Sequence, residues 1–227
     1  SDEDLAFFLE HKDDQVYIME EYVRGYVQTY DAIVDSKGQP LFESGNITPF
    51  SLMDTVNDNL DSVYYLVKDL PENIRSAGLR TVRSFGVKSR FIHLEFFILS
   101  EDQEGLGKAG DVLGLEVNMR PAGGYTPDMY NYSQETDVYK IWADMVCFDT
   151  NTKPTGKHHF CAFYGRRDGN HYRLDDYEIM MKYAGHIVMN GRIPDALSGA
   201  MANQMYVGNF DTEEEMKEFY RDLSDRL

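Results

Sequence analysis

The chain has 227 residues, of which 42% are hydrophobic, so it is long enough to bury a substantial core in one large domain or two small ones. Its formal net charge of -17 repels nucleic-acid backbones and anionic lipid surfaces, and the sequence contains no basic patch that would offset it. No apolar run reaches the roughly 20 residues that a membrane-spanning helix needs. Cys147 and Cys161 form no C-x-x-C pair, which favours reduced thiols. We therefore expect a cytoplasmic protein that binds neither nucleic acid nor membrane.

The first part of the chain predicts a short helix followed by an antiparallel meander. The helix is expected at residues 4–11, and a strand at residues 15–19 leads into the segment Glu20–Gly25. Residues 26–43 contain two β-rich runs around an Asp-Ser-Lys-Gly turn, which is typical of a hairpin. Residues 46–69 are mixed and polar, so we expect a substrate-facing loop or a short helix there.

A helix and two further strands are predicted in the middle of the chain. Apolar residues recur at near-helical spacing from Pro71 to Phe85, with the proline at a suitable helix start. The segment 90–99 is an apolar run rich in β-forming residues, and the segment 113–120 alternates apolar and polar side chains. Because the connection 100–110 is polar and contains glycine, we expect these two strands to pair as neighbours.

The remainder of the chain predicts helices that alternate with short strands. A helix packed on the sheet is expected within residues 128–147, because Tyr139, Trp142 and Val146 recur on a helical period. The later elements are expected to be a strand at 159–165, a helix near 175–183, short strands about Ile187 and Tyr206, and a closing helix that starts at Asp211. Strands mixed with helices, with few strict βαβ spacings, indicate an α+β fold with a mainly antiparallel sheet.

Glu116, Asn118 and Arg120 form the most informative pattern in the sequence. Successive side chains of a strand alternate between its faces, so these three residues are expected to point the same way. Carboxylate and amide oxygens are hard ligands that suit Mg²⁺, and the guanidinium fork suits phosphate oxygens. The pattern therefore predicts a place where Mg²⁺ is held together with a polyphosphate.

Glu95 interrupts the apolar strand that precedes this pattern, where an unpaired carboxylate is rarely tolerated. If the two strands pair, Glu95 can face Glu116 and Asn118 and complete a site for one or two cations. Phe97 lies two residues further along the same face, where its ring could support a nucleobase.

Two of these interpretations have simpler alternatives. Glu95 could form an ordinary ion pair with Arg90 or Arg120 instead of holding a metal. The turn Gly123-Gly124-Tyr125 allows a substrate to approach the backbone closely, but its glycines would serve equally well to end the strand and turn the chain into the next helix.

With these residues in view, the chain resembles the ATP-grasp superfamily, and within it the carboxylate-amine ligases and the biotin-carboxylase-like enzymes. Three motifs carry the resemblance, in the order in which the family has them. The first, Ile18-Met-Glu-Glu-Tyr-Val-Arg-Gly25, is similar to the hinge that reads adenine. The second, His93-Leu-Glu95-Phe-Phe97, is similar to the strand with the first metal carboxylate. The third, Glu116-Val-Asn118-Met-Arg120-Pro, is similar to the Glu-x-Asn-x-Arg signature.

The resemblance implies an ATP site with a role for each matching residue. The residues expected to bind ATP are Glu20, Glu21, Tyr22, Val23, Asp31 and Phe97, with Asp31 or Glu21 as substitutes for the family's ribose-binding acid. The metal ligands would be Glu95, Glu116 and Asn118, holding one or two Mg²⁺ ions, with Mn²⁺ as a substitute. Arg120 would be catalytic by steadying the transferring phosphoryl group, and Gly123, Gly124 and Tyr125 would contact the substrate. The implied reaction activates a carboxylate as an acyl phosphate, which an amine then attacks.

The chain also departs from the family pattern. Family members carry a glycine-rich phosphate loop, two lysines and a separate N-terminal domain upstream of the hinge, and the residues before Gln15 cannot supply them. We therefore expect the C-terminal portion of a longer enzyme, inactive alone, with the missing part in cis or in trans. Residues 1–147 would form its partial catalytic core and residues 148–227 a small α/β lobe that closes it. The alternative is a nucleotide-binding or interaction module that kept the fold but not the reaction, and a homodimer is one possible assembly.

Overall fold

Nine strands join one sheet in the computed structural model, which describes residues 1–49 and 60–227. In chain order the strands are β1 (Gly25–Val34), β2 (Pro40–Ser44), β3 (Asn46–Thr48), β4 (Ser62–Leu66), β5 (Arg90–Leu99), β6 (Val112–Asn118), β7 (Phe160–Arg166), β8 (Ile187–Arg192) and β9 (Gln204–Phe210). The helices within the described ranges are α1 (Asp2–His11), α2 (Glu72–Ser84), α3 (Thr126–Ser133), α4 (Val138–Phe148), α5 (Asp176–Lys182), α6 (Asp195–Met201) and α7 (Glu213–Ser224). None of these helices is both long enough and apolar enough to cross a membrane.

Neighbouring strands of this sheet all run antiparallel, which confirms the predicted α+β fold with a mainly antiparallel sheet. Their order is β6, β5, β1, β3, β4, β7, β9, β8, and β2 pairs with the part of β1 that β3 leaves free. The strands and helices predicted after residue 159 are confirmed, with α6 as an additional helix. These last strands continue the same sheet, and the division between residues 147 and 148 stays a prediction.

One face of β1 and β5 is apolar and is covered by α2. The buried residues of this layer are Tyr30, Ala32, Val34, Ile74, Ala77, Val82, Val87, Ile92, Leu94, Phe96 and Ile98. The Tyr30 ring lies against Gly78 of α2, where any larger residue would collide with it. At the rim of the layer, the Tyr30 hydroxyl donates to the Glu43 carboxylate at 2.8 Å, and Arg75 contacts the same carboxylate at 3.0 Å. The predicted helix from Pro71 to Phe85 is thus confirmed as the cover of this face.

The opposite face of the sheet is covered by α3 and α4. The buried residues of this layer, from the strands and the two helices, include Ile33, Phe42, Leu66, Phe91, Tyr130, Ile141, Met145, Phe163 and Val207. Along β5 the cover ends gradually, because Phe91 is buried whereas Glu95 and Phe97 are half-buried. The polar side chains of this face therefore lie where the sheet becomes accessible.

Residues 15–19 form no strand, so this part of the predicted meander is wrong. A strand needs a partner edge for its backbone hydrogen bonds, and no strand of the described residues lies beside this segment. Its apolar side chains are exposed, with Val16 98% and Ile18 83% accessible. The first strand instead begins at Gly25, where the chain joins β5.

Residues 46–69 contain the strands β3 and β4, where the sequence predicts a loop or a short helix. Residues 50–59 lie outside the described residues. Sheet pairing overrides the weak local signal here, because β3 fills the edge of β1 that β2 leaves open. The backbone amide of Asn46 also donates to the Thr29 hydroxyl at 2.9 Å, which fixes β3 against β1.

The single helix predicted within residues 128–147 is two helices, α3 and α4. Glu135 lies in the break between them and has a left-handed φ of 45°. The buried residues of α4 are Val138, Ile141, Asp144 and Met145. Tyr139 and Val146, whose spacing with Trp142 predicts the helix, are exposed instead of packing on the sheet. Trp142 is partly covered, with its ring 6.3 Å from the Phe91 ring of β5.

Replacement of Gly78 by alanine tests the packing of α2. Alanine is the better helix former by about 1 kcal/mol. However, a Cβ atom at this position would lie 2.2 Å from the Tyr30 ring, so the ring or the helix must shift. We expect Gly78→Ala to lower the free energy of unfolding by about 1–3 kcal/mol in urea denaturation. Gly199→Ala in α6, where a Cβ meets no atom within 4 Å, is the matched control and should not destabilise the protein. Equal or higher stability of Gly78→Ala would contradict this packing.

Candidate functional site

Six polar side chains from three adjacent strands share one face of the sheet. They are Thr29 and Asp31 of β1, His93 and Glu95 of β5, and Glu116 and Asn118 of β6. Glu95 lies opposite Thr29 on one side and opposite Glu116 on the other, and His93 lies opposite Asp31 and Asn118 in the same way. Directly opposed residues of antiparallel strands point to the same face, so the register alone brings these groups together. The predicted pairing of β5 with β6 is confirmed.

His93 joins two of the carboxylates in this group. Its Nδ1 lies 2.5 Å from Asp31 Oδ1, and its Nε2 lies 3.0 Å from Glu95 Oε1. Asp31 is fully buried, and its second oxygen accepts a hydrogen bond from the Thr29 hydroxyl at 2.5 Å. Sequence reasoning missed His93, although its position two residues before Glu95 places it on the same face.

Both ring nitrogens of His93 face carboxylates, and this fixes its charge. Burial alone would lower the pKa of His93, but Asp31 and Glu95 outweigh this effect and raise the pKa to about 10. The hydrogen bond from His93 in turn lowers the pKa of Glu95, to which the charge of Arg120 adds. At neutral pH an imidazolium therefore donates to two carboxylates, and the second oxygen of Glu95 is left for another positive group.

Tyr130 of α3 lies at the buried end of this group of six polar side chains. The residue is fully buried, and its ring packs 5.4 Å from the Phe42 ring and 6.1 Å from the Phe91 ring, measured between centroids. Burial, followed by the charge of Asp31, raises the pKa of Tyr130 well above its usual value. Its hydroxyl has no hydrogen-bond partner within residues 1–49 and 60–227. A neutral phenol thus lies beside the buried carboxylate.

The edge strand β6 contributes Glu116 and Asn118. The pairing with β5 shifts between Glu95 and Phe96, so β6 carries one extra residue, Leu115, as a bulge. Glu116 is exposed and faces Glu95, whereas Asn118 is half-buried. The side-chain nitrogen of Asn118 is buried and lacks a partner among the described residues. Both predicted ligands of this strand therefore lie beside the β5 carboxylate.

Arg120 does not lie on the strand, because β6 ends at Asn118. Its side chain is exposed and donates to the Pro121 carbonyl at 2.9 Å. Neither Arg120 nor Arg90 forms an ion pair with Glu95 in the described part of the chain, so the simple ion pair with an arginine is wrong. The partner of Glu95 is His93, and Arg120 lies near enough to contribute to its lowered pKa.

The oxygen ligands of Glu95, Glu116 and Asn118 suit a metal ion that binds together with a nucleotide. Across the described ranges, no three His, Cys, Asp or Glu residues are arranged to hold a metal. Glu95 and Glu116 instead form a facing pair, with Asn118 next along the same face. Mg²⁺ that binds with a nucleotide takes one or two protein carboxylates, and phosphate oxygens and waters complete its shell. The residues therefore fit Mg²⁺ carried by a polyphosphate better than an ion held by the protein alone.

The predicted hinge leads directly into β1 and, up to that strand, belongs to no helix or strand. Glu20, Glu21 and Tyr22 are exposed and Val23 is half-buried. Within the described residues, the Glu21 carbonyl and the Val23 amide have no hydrogen-bond partner. The Val23 amide is thus available as a backbone donor and the Glu21 carbonyl as a backbone acceptor. Asp31 is fully buried and contacts His93, whereas Glu21 is exposed. Of the two acids expected near a ribose, Glu21 is therefore the better placed.

An apolar strip lies between the hinge and the carboxylates. Phe97 is opposite Val27 on one side and opposite Leu113 on the other, and all three residues are half-buried. They point to the same face as Glu95, two residues away along β5. Phe97 therefore lies where the sequence predicts an apolar support for a base.

The turn that follows β6 leads directly into α3. Gly124 has a left-handed φ of 60°, and a Cβ there would lie 2.9 Å from the Met201 sulfur, so the backbone favours glycine. Tyr125 is the N-cap residue of α3, and Gly123 has open space around it. A substrate contact by Gly123, Gly124 and Tyr125 stays a prediction.

The charge of His93 makes the stability of the protein depend on pH. In the unfolded chain its pKa is about 6.5, and folding raises it to about 10. Its contribution is therefore complete below about pH 6.5 and is lost as the pH rises through about 10. We expect the difference in unfolding free energy between the wild type and His93→Gln to shrink between these two values, in urea denaturation without metal. The exposed His171→Gln is the control and should show no such trend. A difference that stays constant over this range would contradict an imidazolium at His93.

At the level of sequence, the chain matches no protein-family model and has no significant match among curated proteins. Its structure is similar to several solved enzymes. The L-amino acid ligase from Bacillus licheniformis has a TM-score of 0.61 at 16% identity, over 90% of this chain and 51% of that one. The phosphoribosylaminoimidazole carboxylase ATPase subunit from Aquifex aeolicus has a TM-score of 0.60 at 12% identity, over 90% and 57%. The N5-carboxyaminoimidazole synthetase from Staphylococcus aureus, complexed with ADP, has a TM-score of 0.55 at 10% identity, over 90% and 51%.

The chain shares the fold of these enzymes, and this confirms the fold expected from its resemblance to the ATP-grasp superfamily. It spans about half the length of the ligase and of the synthetase, 51% in each case.

Proposed function

We propose that this chain forms the hinge and the metal-binding strands of an ATP-dependent ligase. The observation that carries the proposal is the facing pair of Glu95 and Glu116, on the same side of the sheet as Phe97. Like charges directly opposite each other destabilise an antiparallel pair, so two facing carboxylates are an arrangement that suits a cation. The ligases and synthetases that share the fold support the same class of enzyme.

The nucleotide would lie along β1 and β5, from the hinge to the carboxylates. Adenine presents an acceptor at N1 and a donor at its amino group, which match the free Val23 amide and the free Glu21 carbonyl. Phe97 would support the ring. From Gly25 to Thr29, which lies opposite Glu95, the strand advances about 13 Å.

The phosphates would meet the metal ligands at the far end of this path. Glu95 and Glu116 would each supply a carboxylate oxygen to one or two Mg²⁺ ions, with Asn118 as a neighbouring amide ligand. When bound, the metal would neutralise charge on the transferring phosphoryl group. The exposed guanidinium of Arg120 is free to do the same from the side.

The proposed reaction joins a carboxylic acid to an amine. An oxygen of the acid attacks the γ-phosphorus of ATP, ADP leaves, and the amine then displaces phosphate from the acyl phosphate to form an amide. Gly123, Gly124 and Tyr125, which follow the metal-binding strand, would border the substrate. The side chains of the site position the reactants and neutralise charge, so no covalent bond to the protein is needed.

The rest of the nucleotide site would come from outside this chain. A phosphate loop and two lysines, in cis or in trans, would face β1, β5 and β6. The neighbour that was solved with ADP supports nucleotide binding as the shared property. Residues 1–147 would then hold the nucleotide, and residues 148–227 would close the lobe. A cytoplasmic location and a homodimer stay predictions.

Mg²⁺-dependent ATP binding by the full-length protein that contains this chain tests the metal assignment. We expect Glu95→Gln and Glu116→Gln to weaken this binding about tenfold or more, or by about 1.4 kcal/mol, because each removes one anionic ligand. Isothermal titration calorimetry with and without Mg²⁺ measures the effect. Glu104→Gln, an exposed acid in the loop between β5 and β6, is the matched control and should bind as the wild type does. No Mg²⁺-dependent binding by the wild type would exclude the proposed ATP site, whereas full binding by Glu116→Gln would exclude the metal assignment alone.

Turnover separates the ligase from the alternative of a nucleotide-binding module. We expect the full-length protein to release ADP from ATP when it is given a suitable pair from a panel of carboxylic acids and amines, and to form the amide in equal amount. A coupled ADP assay with mass spectrometry of the product measures both. Tight Mg²⁺-ATP binding with no ADP release across the panel would favour the module.

A further inference from the structure

Gln103 binds the backbone of the hinge through both atoms of its side-chain amide. Its Oε1 accepts from the Arg24 amide at 2.6 Å, and its Nε2 donates to the Tyr22 carbonyl at 3.0 Å. The residue lies in the loop between β5 and β6, about eighty positions away in the sequence. A primary amide that contacts one backbone donor and one backbone acceptor, two residues apart, takes the place of a partner strand.

These two hydrogen bonds decide which edge of the hinge is free. The Tyr22 carbonyl and the Arg24 amide contact the same side-chain amide, which is the pattern of an extended chain. In such a chain the backbone groups of successive residues point to opposite sides. Because the Tyr22 carbonyl and the Arg24 amide point toward Gln103, the Glu21 carbonyl and the Val23 amide point away from it. Neither of these two groups has a partner among the described residues.

The loop that carries Gln103 is itself braced against the hinge. The backbone N–H of Gln103 donates to the backbone carbonyl of Gly107 at 2.9 Å, and the backbone N–H of Gly107 donates to the backbone carbonyl of Gln103 at 3.0 Å. Glu101 pairs with the Arg24 guanidinium at 2.6 Å, and the Ser100 amide donates to the Arg24 carbonyl at 2.9 Å. The contacts of β5 with β1 thus continue past the end of both strands and reach the hinge.

We infer that Gln103 is a positioning residue that sets the register of the hinge and so selects adenine over guanine. The inference rests on the proposed binding of ATP at the hinge. The adenine N1 can accept from the Val23 N–H while the adenine amino group donates to the Glu21 carbonyl. In the same position guanine would place its N1–H donor against the Val23 N–H and its O6 acceptor against the Glu21 carbonyl. A site that binds through two paired hydrogen bonds can reject a base that does not form them. This discrimination lasts only while the two backbone groups of the hinge are held in position.

Nucleotide binding and turnover by the full-length protein that contains this chain test the role of Gln103. Gln103→Ala removes both hydrogen bonds, and we expect the Kd for Mg²⁺-ATP to rise about tenfold, with the preference for ATP over GTP reduced to a similar extent. Gln103→Glu keeps an acceptor for the Arg24 amide but cannot donate to the Tyr22 carbonyl, so it should fall between the wild type and Gln103→Ala. At saturating ATP, kcat should stay within about twofold of the wild type, because the reacting groups lie at the other end of the site.

Glu104→Ala, the exposed neighbour in the same loop, is the matched control and should change neither Kd nor the preference. A wild type that binds ATP while Gln103→Ala and Gln103→Glu bind ATP and GTP as it does would overturn this inference and leave the proposed function intact. An equal loss for ATP and GTP, or a fall in kcat at unchanged KM, would also overturn it, since either result indicates a structural role. A wild type that binds no ATP would exclude the proposed function and this inference together. If Gln103→Ala does not fold, Gln103→Glu decides the question.

Discussion

The positive charge of His93 allows three neighbouring strands to place carboxylates on the same face of the sheet. Asp31 is fully buried, and Glu95 and Glu116 are directly opposed, so the three negative charges would otherwise repel one another, and Asp31 would be an unpaired charge away from solvent. His93 contacts two of them within hydrogen-bonding distance. Glu116 is left without an ion-pair partner in the described residues. One imidazolium therefore stabilises two of the three carboxylates, and the group keeps an excess of negative charge that a cation from outside can balance.

The rest of the site depends on the two strands that meet at His93. β1 continues into the hinge and β5 carries the first carboxylate, so a base and a metal ion would rest on the same pair of strands. These strands lie close together where the hinge ends and β1 begins, since a Cβ on Gly25 would lie 2.3 Å from the Ile98 carbonyl oxygen. On the other face, α2 packs against Tyr30 and its neighbours. The distance between the hinge and the carboxylates is therefore fixed by the paired strands β1 and β5, which pack on the buried apolar layer under α2.

Local signals in the sequence were sufficient for the β1–β2 hairpin, for α2 and for α7, because turn residues, caps and periodicity act over a few positions. The facing of Glu95 and Glu116 also followed from alternation along two strands and the short connection between them. The error at residues 15–19 has a different origin, since a β-rich segment becomes a strand only where a partner edge exists. The contacts of His93 and Gln103 depend on pairing with segments about sixty to eighty residues away, and no local pattern reports such a register.

The bulge at Leu115 lies in the outermost strand of the sheet. An edge strand presents unpaired backbone groups on which another chain could add a strand and begin to aggregate, and natural proteins prevent this with bulges and with charged side chains. β6 has both, since the irregular residue is followed at once by the exposed charge of Glu116. The carboxylate that we propose as a metal ligand thus also opposes the addition of another strand at this edge, so one side chain would serve both binding and resistance to aggregation.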